Sequence, residues 1–307
     1  MTNLSARAWA GPLAVVGALV WTIAQATAGG LVGGSLSTAQ EPGASLWSAG
    51  IHSGIRLLDG GARPEDPDRR LAGLEIRMDP HFKTYWRTPG DSGLPPVFDW
   101  SGSQNLRAVE VSWPAPTRFE DQAGSSIGYK SRVVFPLHVT PSNPAEPVVL
   151  DLRLDYAVCE KVCIPAHGEA RLKLGVGQIS TPAAVVIEDF QSQVPPVQAP
   201  SETAAPGIRS IAPVGEDRGL MVVAQVPETT GIVDIFVEGP DGWTFSAPLA
   251  VSTVAGPDKS HVVTYRVTVD SRPTGGRLKG LPLRVTMTAG DEAIEVPIAL
   301  DAGAGPN

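Results

Sequence analysis

Apolar and polar residues alternate along much of this chain, in short runs cut by Gly and Pro. Val148-Val-Leu-Asp-Leu-Arg-Leu-Asp-Tyr156 shows the period of two most clearly. Successive side chains of a strand point to opposite faces, so such a run predicts a strand with one buried face. The same reading predicts strands over Ile51–Leu58, Arg70–Asp79, Leu106–Trp113 and Val133–Thr140, with Ala170–Leu174 pairing back on the run that ends at Tyr156. Turn clusters separate them at Pro89-Gly-Asp-Ser-Gly93, Pro114-Ala-Pro116 and Pro141-Ser-Asn-Pro144. Many short strands with this punctuation predict an all-β sandwich. The one helix expected lies over Thr181–Val194, where Thr181-Pro182 resembles an N-cap followed by proline in the first helical position. Pro195–Gly207 reads as an extended linker. Beyond it, Gly219–Val226, Ile232–Glu238, His261–Val269, Leu281–Thr288 and Ala293–Leu300 predict a second, smaller β-sandwich. The expected division is a first sandwich over 47–178, helix and linker over 179–207, and the second sandwich over 208–302.

A chain of 307 residues has room for two such domains. Its net charge of −8 argues against nucleic acid as a partner, because phosphate binding needs clustered Lys and Arg. The start changes the picture more. Arg7 precedes an apolar stretch over Ala8–Ala26, and Ala26-Thr27-Ala28 is a small-x-small cleavage site. Residues 1–28 therefore read as an export signal, with an uncleaved anchor as the alternative. Residues 29–46, small and Gly-rich, read as a disordered lead-in. Export puts the remainder outside the cytoplasm, where a disulfide can persist. No stable membrane insertion is expected after cleavage.

The only two cysteines, Cys159 and Cys163, are four residues apart. A fully extended strand would hold their Cα atoms about 13 Å apart, and a bonded pair needs them within roughly 7 Å. Glu160-Lys161-Val162 must therefore turn. Closing so short a loop stabilises by only about 2 kcal/mol in the chain-entropy account. A small, exposed ring also favours a labile bond. Three readings stand at this point: a redox pair, a structural staple and a metal site. An internal comparison bears on them. The first block closes on Pro147–Tyr156, the cysteine turn, then Glu169–Leu174; the second closes on Leu281–Thr288, Ala289-Gly-Asp-Glu292, then Ala293–Leu300. Both look like a closing hairpin, and only the first carries thiols.

Several motifs taken together resemble a known family. They are Lys83-Thr-Tyr-Trp-Arg-Thr-Pro-Gly-Asp-Ser-Gly-Leu-Pro-Pro96, Phe98-Asp-Trp-Ser-Gly-Ser103, Trp113-Pro-Ala-Pro-Thr-Arg-Phe119, and Tyr156 followed by Cys159, Cys163 and Ile164-Pro165. Over roughly Trp47–Leu174 the chain resembles the N-terminal periplasmic domain of the DsbD family of disulfide reductases, including its stand-alone members and the ScsB branch. The resemblance implies an immunoglobulin-like fold and a cysteine pair that relays electrons. The expected partners are periplasmic thioredoxin-like or disulfide isomerase-type proteins and a membrane electron donor. It implies catalytic roles for Cys159, the buried member, and Cys163, which forms the mixed disulfide. It also implies a cap loop over Arg118–Tyr129, with Phe119 as cap ring and Glu120, Asp121 and Tyr129 shaping the site. Taken singly, Glu120, Asp121, Glu160 and Lys161 read as solvated loop charges, and Tyr85 and Trp86 as core.

Two departures matter. The pair is C-x3-C, tighter than in well-known members, and no transmembrane carrier or thioredoxin-like module is expected from this sequence. A protein-disulfide reductase-type activity would then depend on a partner. The competing reading is a periplasmic binding module: thiols that capture Cu(I), with Met78, His81 and His167 as nearest extra ligands, or a sandwich with a structural disulfide. No cofactor is implied. There is no G-x-S-x-G, H-E-x-x-H or P-loop.

Overall fold

The structure, a computed structural model, describes residues 41–63, 66–91, 93–121, 124–177, 182–228 and 231–300. The expected export signal and most of the lead-in lie outside them. In chain order the strands are β1 (Ser48–Gly50), β2 (Ser53–Arg63), β3 (Asp66–Met78), β4 (Lys83–Gly90), β5 (Val97–Asp99), β6 (Leu106–Val111), β7 (Thr117–Asp121), β8 (Gly124–Lys130), β9 (Arg132–Pro141), β10 (Val148–Cys159) and β11 (Cys163–Leu174). Helix α1 (Pro182–Ser192) follows. Then come β12 (Gly207–Val214), β13 (Gly219–Val226), β14 (Val233–Glu238), β15 (Thr244–Phe245), β16 (Leu249–Ala255), β17 (His261–Ser271), β18 (Pro282–Ala289) and β19 (Glu292–Ala299). The chain is nearly all β, as its alternation predicts.

The first sandwich sets a sheet of order β1-β2-β3-β9-β6 against one of order β11-β10-β4-β8-β7, with β5 also on β10. Ile55, Leu57, Leu74 and Ile76 from the first sheet share a core with Leu150, Leu152 and Leu154 from the second, all fully buried. Their spacing of two is what puts them on one face. Helix α1 covers the outside of the first sheet, where Ala183 and Ile187 pack on Leu58, Leu71 and Val134. Gly73 makes that possible: a Cβ there would come 2.8 Å from Ile187 Cγ1.

The second sandwich sets β12-β13-β17, with β15 and β16 both paired to β17, against β14-β18-β19. Its core is Ile208, Leu220, Val222, Ile235, Val285, Met287 and Val296. The segment after α1 is tied to this sandwich, since Val197 bridges Glu295 and the Gln198 amide donates to the Glu295 carbonyl at 2.9 Å.

Among the strands that the pattern reading does not predict, β4 and β8 position the site. Strand β4 contains Pro89 and Gly90, and β8 reads Gly-Ser-Ser-Ile-Gly-Tyr-Lys. Thr84, Tyr85 and Trp86 favour a strand, but the Pro-Gly end of β4 and the Gly and Ser of β8 read as turn, and pairing decides both. Gly128 sits so close to β4 that a Cβ would lie 1.9 Å from the Thr84 carbonyl oxygen. Across Arg118–Tyr129, expected as a cap loop, the described residues belong to the antiparallel pair β7–β8.

Candidate redox site

Strand β10 pairs with β11 without a break from Val148↔Leu174 to Cys159↔Cys163. Directly opposed residues hold their Cβ atoms about 5 Å apart. This register brings the two sulfurs to 3.0 Å with both cysteines free. Glu160, Lys161 and Val162 make the turn, and Val162 is 72% exposed at its tip.

The pair lies on the outer face of its sheet. Along β10 the even positions face the core, while Arg153 and Asp155 on the other face are exposed. At the cysteine end that outer face closes over: Ala157 is fully buried and Cys159 is only 5% exposed. The cover comes from β4, whose Lys83 pairs with Cys159 and whose Thr84 pairs with Val158. Tyr85, on the same outer face, packs on Ala157 and Cys159. Its hydroxyl lies 2.8 Å from Cys163 Sγ. Gly93 holds the ring there, since a Cβ at 93 would sit 2.6 Å from Tyr85 Cδ1.

The electrostatics differ for the two members of the pair. Burial and the neighbouring Cys163 push the Cys159 thiol above its ordinary value, while the Tyr85 hydroxyl and the Lys83 charge oppose the shift. Lys83 Nζ donates to Ser126 Oγ at 2.8 Å and lies 5.4 Å from the centre of the Phe119 ring. Burial and the two thiols drive the Tyr85 hydroxyl far above its usual range. It stays protonated and available as a donor. Cys163, by contrast, is exposed.

The structure brings together some expected site residues and not others. Cys159 and Cys163 meet. Phe119 stands over Lys83 and over Lys130 (4.8 Å), so its link to the sulfurs runs through Lys83. Tyr129 is not at the sulfurs. It faces the core, its hydroxyl donating to the Pro114 carbonyl at 2.8 Å. Its neighbour Gly128, rather than Tyr129, is on the cysteine side of the strand. Glu120 is exposed and lines a cleft with Arg118 and Asp234, away from the pair. The Asp121 side chain lies outside the described residues. Tyr85 corrects the sequence reading, which placed it with Trp86 in the core. Trp86 is there, but alternation along β4 sends Tyr85 to the opposite face and onto the thiols. The signal is Tyr85-Trp86 itself: in a strand, adjacent aromatics take opposite faces, so only one of them can join the core.

The extra metal ligands do not gather either. Met78 is buried in the core between the sheets. His81 is exposed, with φ of 73°. His167 is held by Asp155 at 2.8 Å and Glu169 at 3.5 Å. Among the described residues no group of three or more His, Cys, Asp or Glu is arranged to hold a metal ion.

The first β-sandwich thus presents one buried and one exposed thiol at a hairpin end, under a phenol. Residues 62–175 match the family described as "Thiol:disulfide interchange protein DsbD, N-terminal", so the chain carries a DsbD-type N-terminal domain. The solved N-terminal periplasmic domain of ScsB from Proteus mirabilis has the same fold, with a TM-score of 0.65 at 20% identity over 85% of this chain and 99% of its own. So wide a match extends beyond the first sandwich into the second. No curated protein matches the chain. Among the described residues no helix is long and apolar enough to cross a membrane.

Proposed function

We propose that this protein is a periplasmic thiol-disulfide exchange protein in which Cys163 is the entering thiol and Cys159 the resolving one. The observation that supports this most is the contrast within one 3.0 Å pair: Cys163 is open to a partner and Cys159 is buried behind it. In the reducing direction the Cys163 thiolate attacks one sulfur of a partner disulfide. That S–S bond breaks, and the departing sulfur takes a proton. Cys159 then loses its proton and attacks Cys163 Sγ, which forms the intramolecular disulfide and releases the partner's second thiol. Two electrons and two protons pass to the partner, and a membrane electron donor or another exchange protein restores the dithiol. The attacking species is the thiolate. Tyr85 is placed to donate to that thiolate from 2.8 Å, as a positioning residue. The exposed Val162 at the turn offers apolar surface to a thioredoxin-like or disulfide isomerase-type partner.

A trapping experiment tests this reading. Cys159→Ser should accumulate a mixed disulfide through Cys163 with a thioredoxin-like periplasmic protein, and Cys163→Ser should not. If neither variant forms an adduct, and both thiols of the native reduced protein resist alkylation until it unfolds, the pair is a staple and the proposal fails.

A further inference from the structure

The second sandwich carries no cysteine, yet it grips the strands that cover the sulfurs. Phe236 of β14 is 2% exposed and belongs to the first sandwich's core, edge-on to Trp86 of β4 with ring centres 5.7 Å apart. Next to it Arg87 donates to Glu238 at 2.9 and 2.7 Å and to Glu295 at 2.6 Å. The Thr88 hydroxyl donates to Glu238 at 2.7 Å. On β7, Arg118 donates to Asp234 at 2.8 Å and to the Ile235 carbonyl at 3.0 Å, with its guanidinium 4.9 Å from the Phe236 ring centre. These groups are largely buried: the side chains of Arg87, Glu238 and Glu295 are 18%, 11% and 13% exposed, and those of Arg118 and Asp234 are 14% and 15%.

The gripped positions adjoin those that dress the thiols. Arg87 and Trp86 follow Tyr85 directly on β4, and Arg118 precedes Phe119 on β7. On β7, alternation sends Arg118 and Phe119 to opposite faces; on β4 the second sandwich takes hold immediately after Tyr85, at Trp86 on the core side and at Arg87 and Thr88 beyond it. Bidentate Arg–carboxylate pairs fix orientation as well as position. A sandwich that merely stood beside the first would not need two such pairs on these two strands.

We infer that the second sandwich is a positioning element for the redox site: through Arg87 and Arg118 it holds β4 and β7 so that Tyr85 and Lys83 stay against the cysteine pair. The purpose of this hold rests on the exchange reading above; its existence does not. Loosening it should let Tyr85 withdraw from Cys163, leaving that thiol easier to reach.

The test uses the full reduced chain with Asp234→Asn and Glu238→Gln combined, and Arg118→Lys as a milder variant in case the first folds poorly. Alkylation of Cys163 is followed at fixed pH, and backbone hydrogen exchange is read on the same proteins. The expected result is a several-fold rise in Cys163 alkylation rate, and faster exchange confined to 83–90 and 117–130. Unchanged alkylation with unchanged exchange in those strands would overturn the inference, as would a uniform rise in exchange over the whole first sandwich. Failure of mixed-disulfide trapping alongside a raised alkylation rate would remove the exchange reading and leave the hold standing.

Discussion

Two hairpins of this molecule are built alike and end differently. Strands β10–β11 pair through to Cys159↔Cys163 around a three-residue turn. Strands β18–β19 pair through to Ala289↔Glu292, and only Gly290 and Asp291 lie between, with Gly290 at φ of 63°. That positive φ suits the tight two-residue turns of hairpins. The second hairpin therefore closes on backbone geometry alone. The first is no shorter of cross-strand pairs, so its thiols are not needed to close it. Their surroundings differ too. Ala157 and Cys159 are buried on a sheet face that is exposed further along the same strand, and what buries them is a strand held by the other sandwich.

The sharpest way to break this comparison is to remove one thiol. Cys163→Ser should reduce exchange to background while changing folding stability by less than about 0.5 kcal/mol, as expected of an exposed position. Paired activity and denaturant-unfolding measurements check it, and loss of the fold would mean that the first hairpin does depend on its cysteines. Next in size is Gly93→Ala. Its methyl group would overlap the Tyr85 ring, so a cost of about 1–3 kcal/mol is expected, with Cys163 alkylating faster than in the parent. Gly290→Ala is the matching change in the second hairpin. Strain at positive φ should cost about 1 kcal/mol, and exchange activity should stay at the parent level.

The smallest effect is a pH dependence. Burial holds the Cys159 thiol above its ordinary value. The folded reduced state thus favours the protonated form more than the unfolded chain does. That contribution is complete below the unfolded thiol value, about 8.5, and is lost as pH rises through the higher folded one. Reduced protein should therefore lose stability faster than oxidised protein as pH rises above about 8.5. Thermal unfolding of both forms over a pH series measures it.

How far the sequence could be read follows from these strands. Val148–Tyr156 was legible because one of its faces meets the core and the other meets water, and that alternation is written in residue type. Strand β4 was not, because both of its faces are covered, one by the core and the other by the thiols, and the second sandwich closes on it from Trp86 onward. Its Lys83, Tyr85 and Arg87 are polar or amphipathic residues with specific partners, and binary patterning does not encode partners. Strand β8 depends on Gly128, which marks a close backbone approach but reads as a loop. The cysteine turn was legible from chain geometry, since only a turn brings two residues four apart within bonding range. The role of Tyr85 was not, because which face a residue takes depends on knowing that it lies in a strand. Phe236 was hidden for a further reason: it contributes to the core of one sandwich from a strand of the other.

The most direct test of the central claim is the equilibrium reduction potential of the Cys159–Cys163 pair in the folded protein, read by thiol trapping and mass spectrometry across a dithiol redox buffer series. An exchange protein should fall between roughly −120 and −270 mV, the range of catalytic oxidoreductases. A value well below about −300 mV is that of a structural bond, and it would contradict the assignment of this pair to electron transfer.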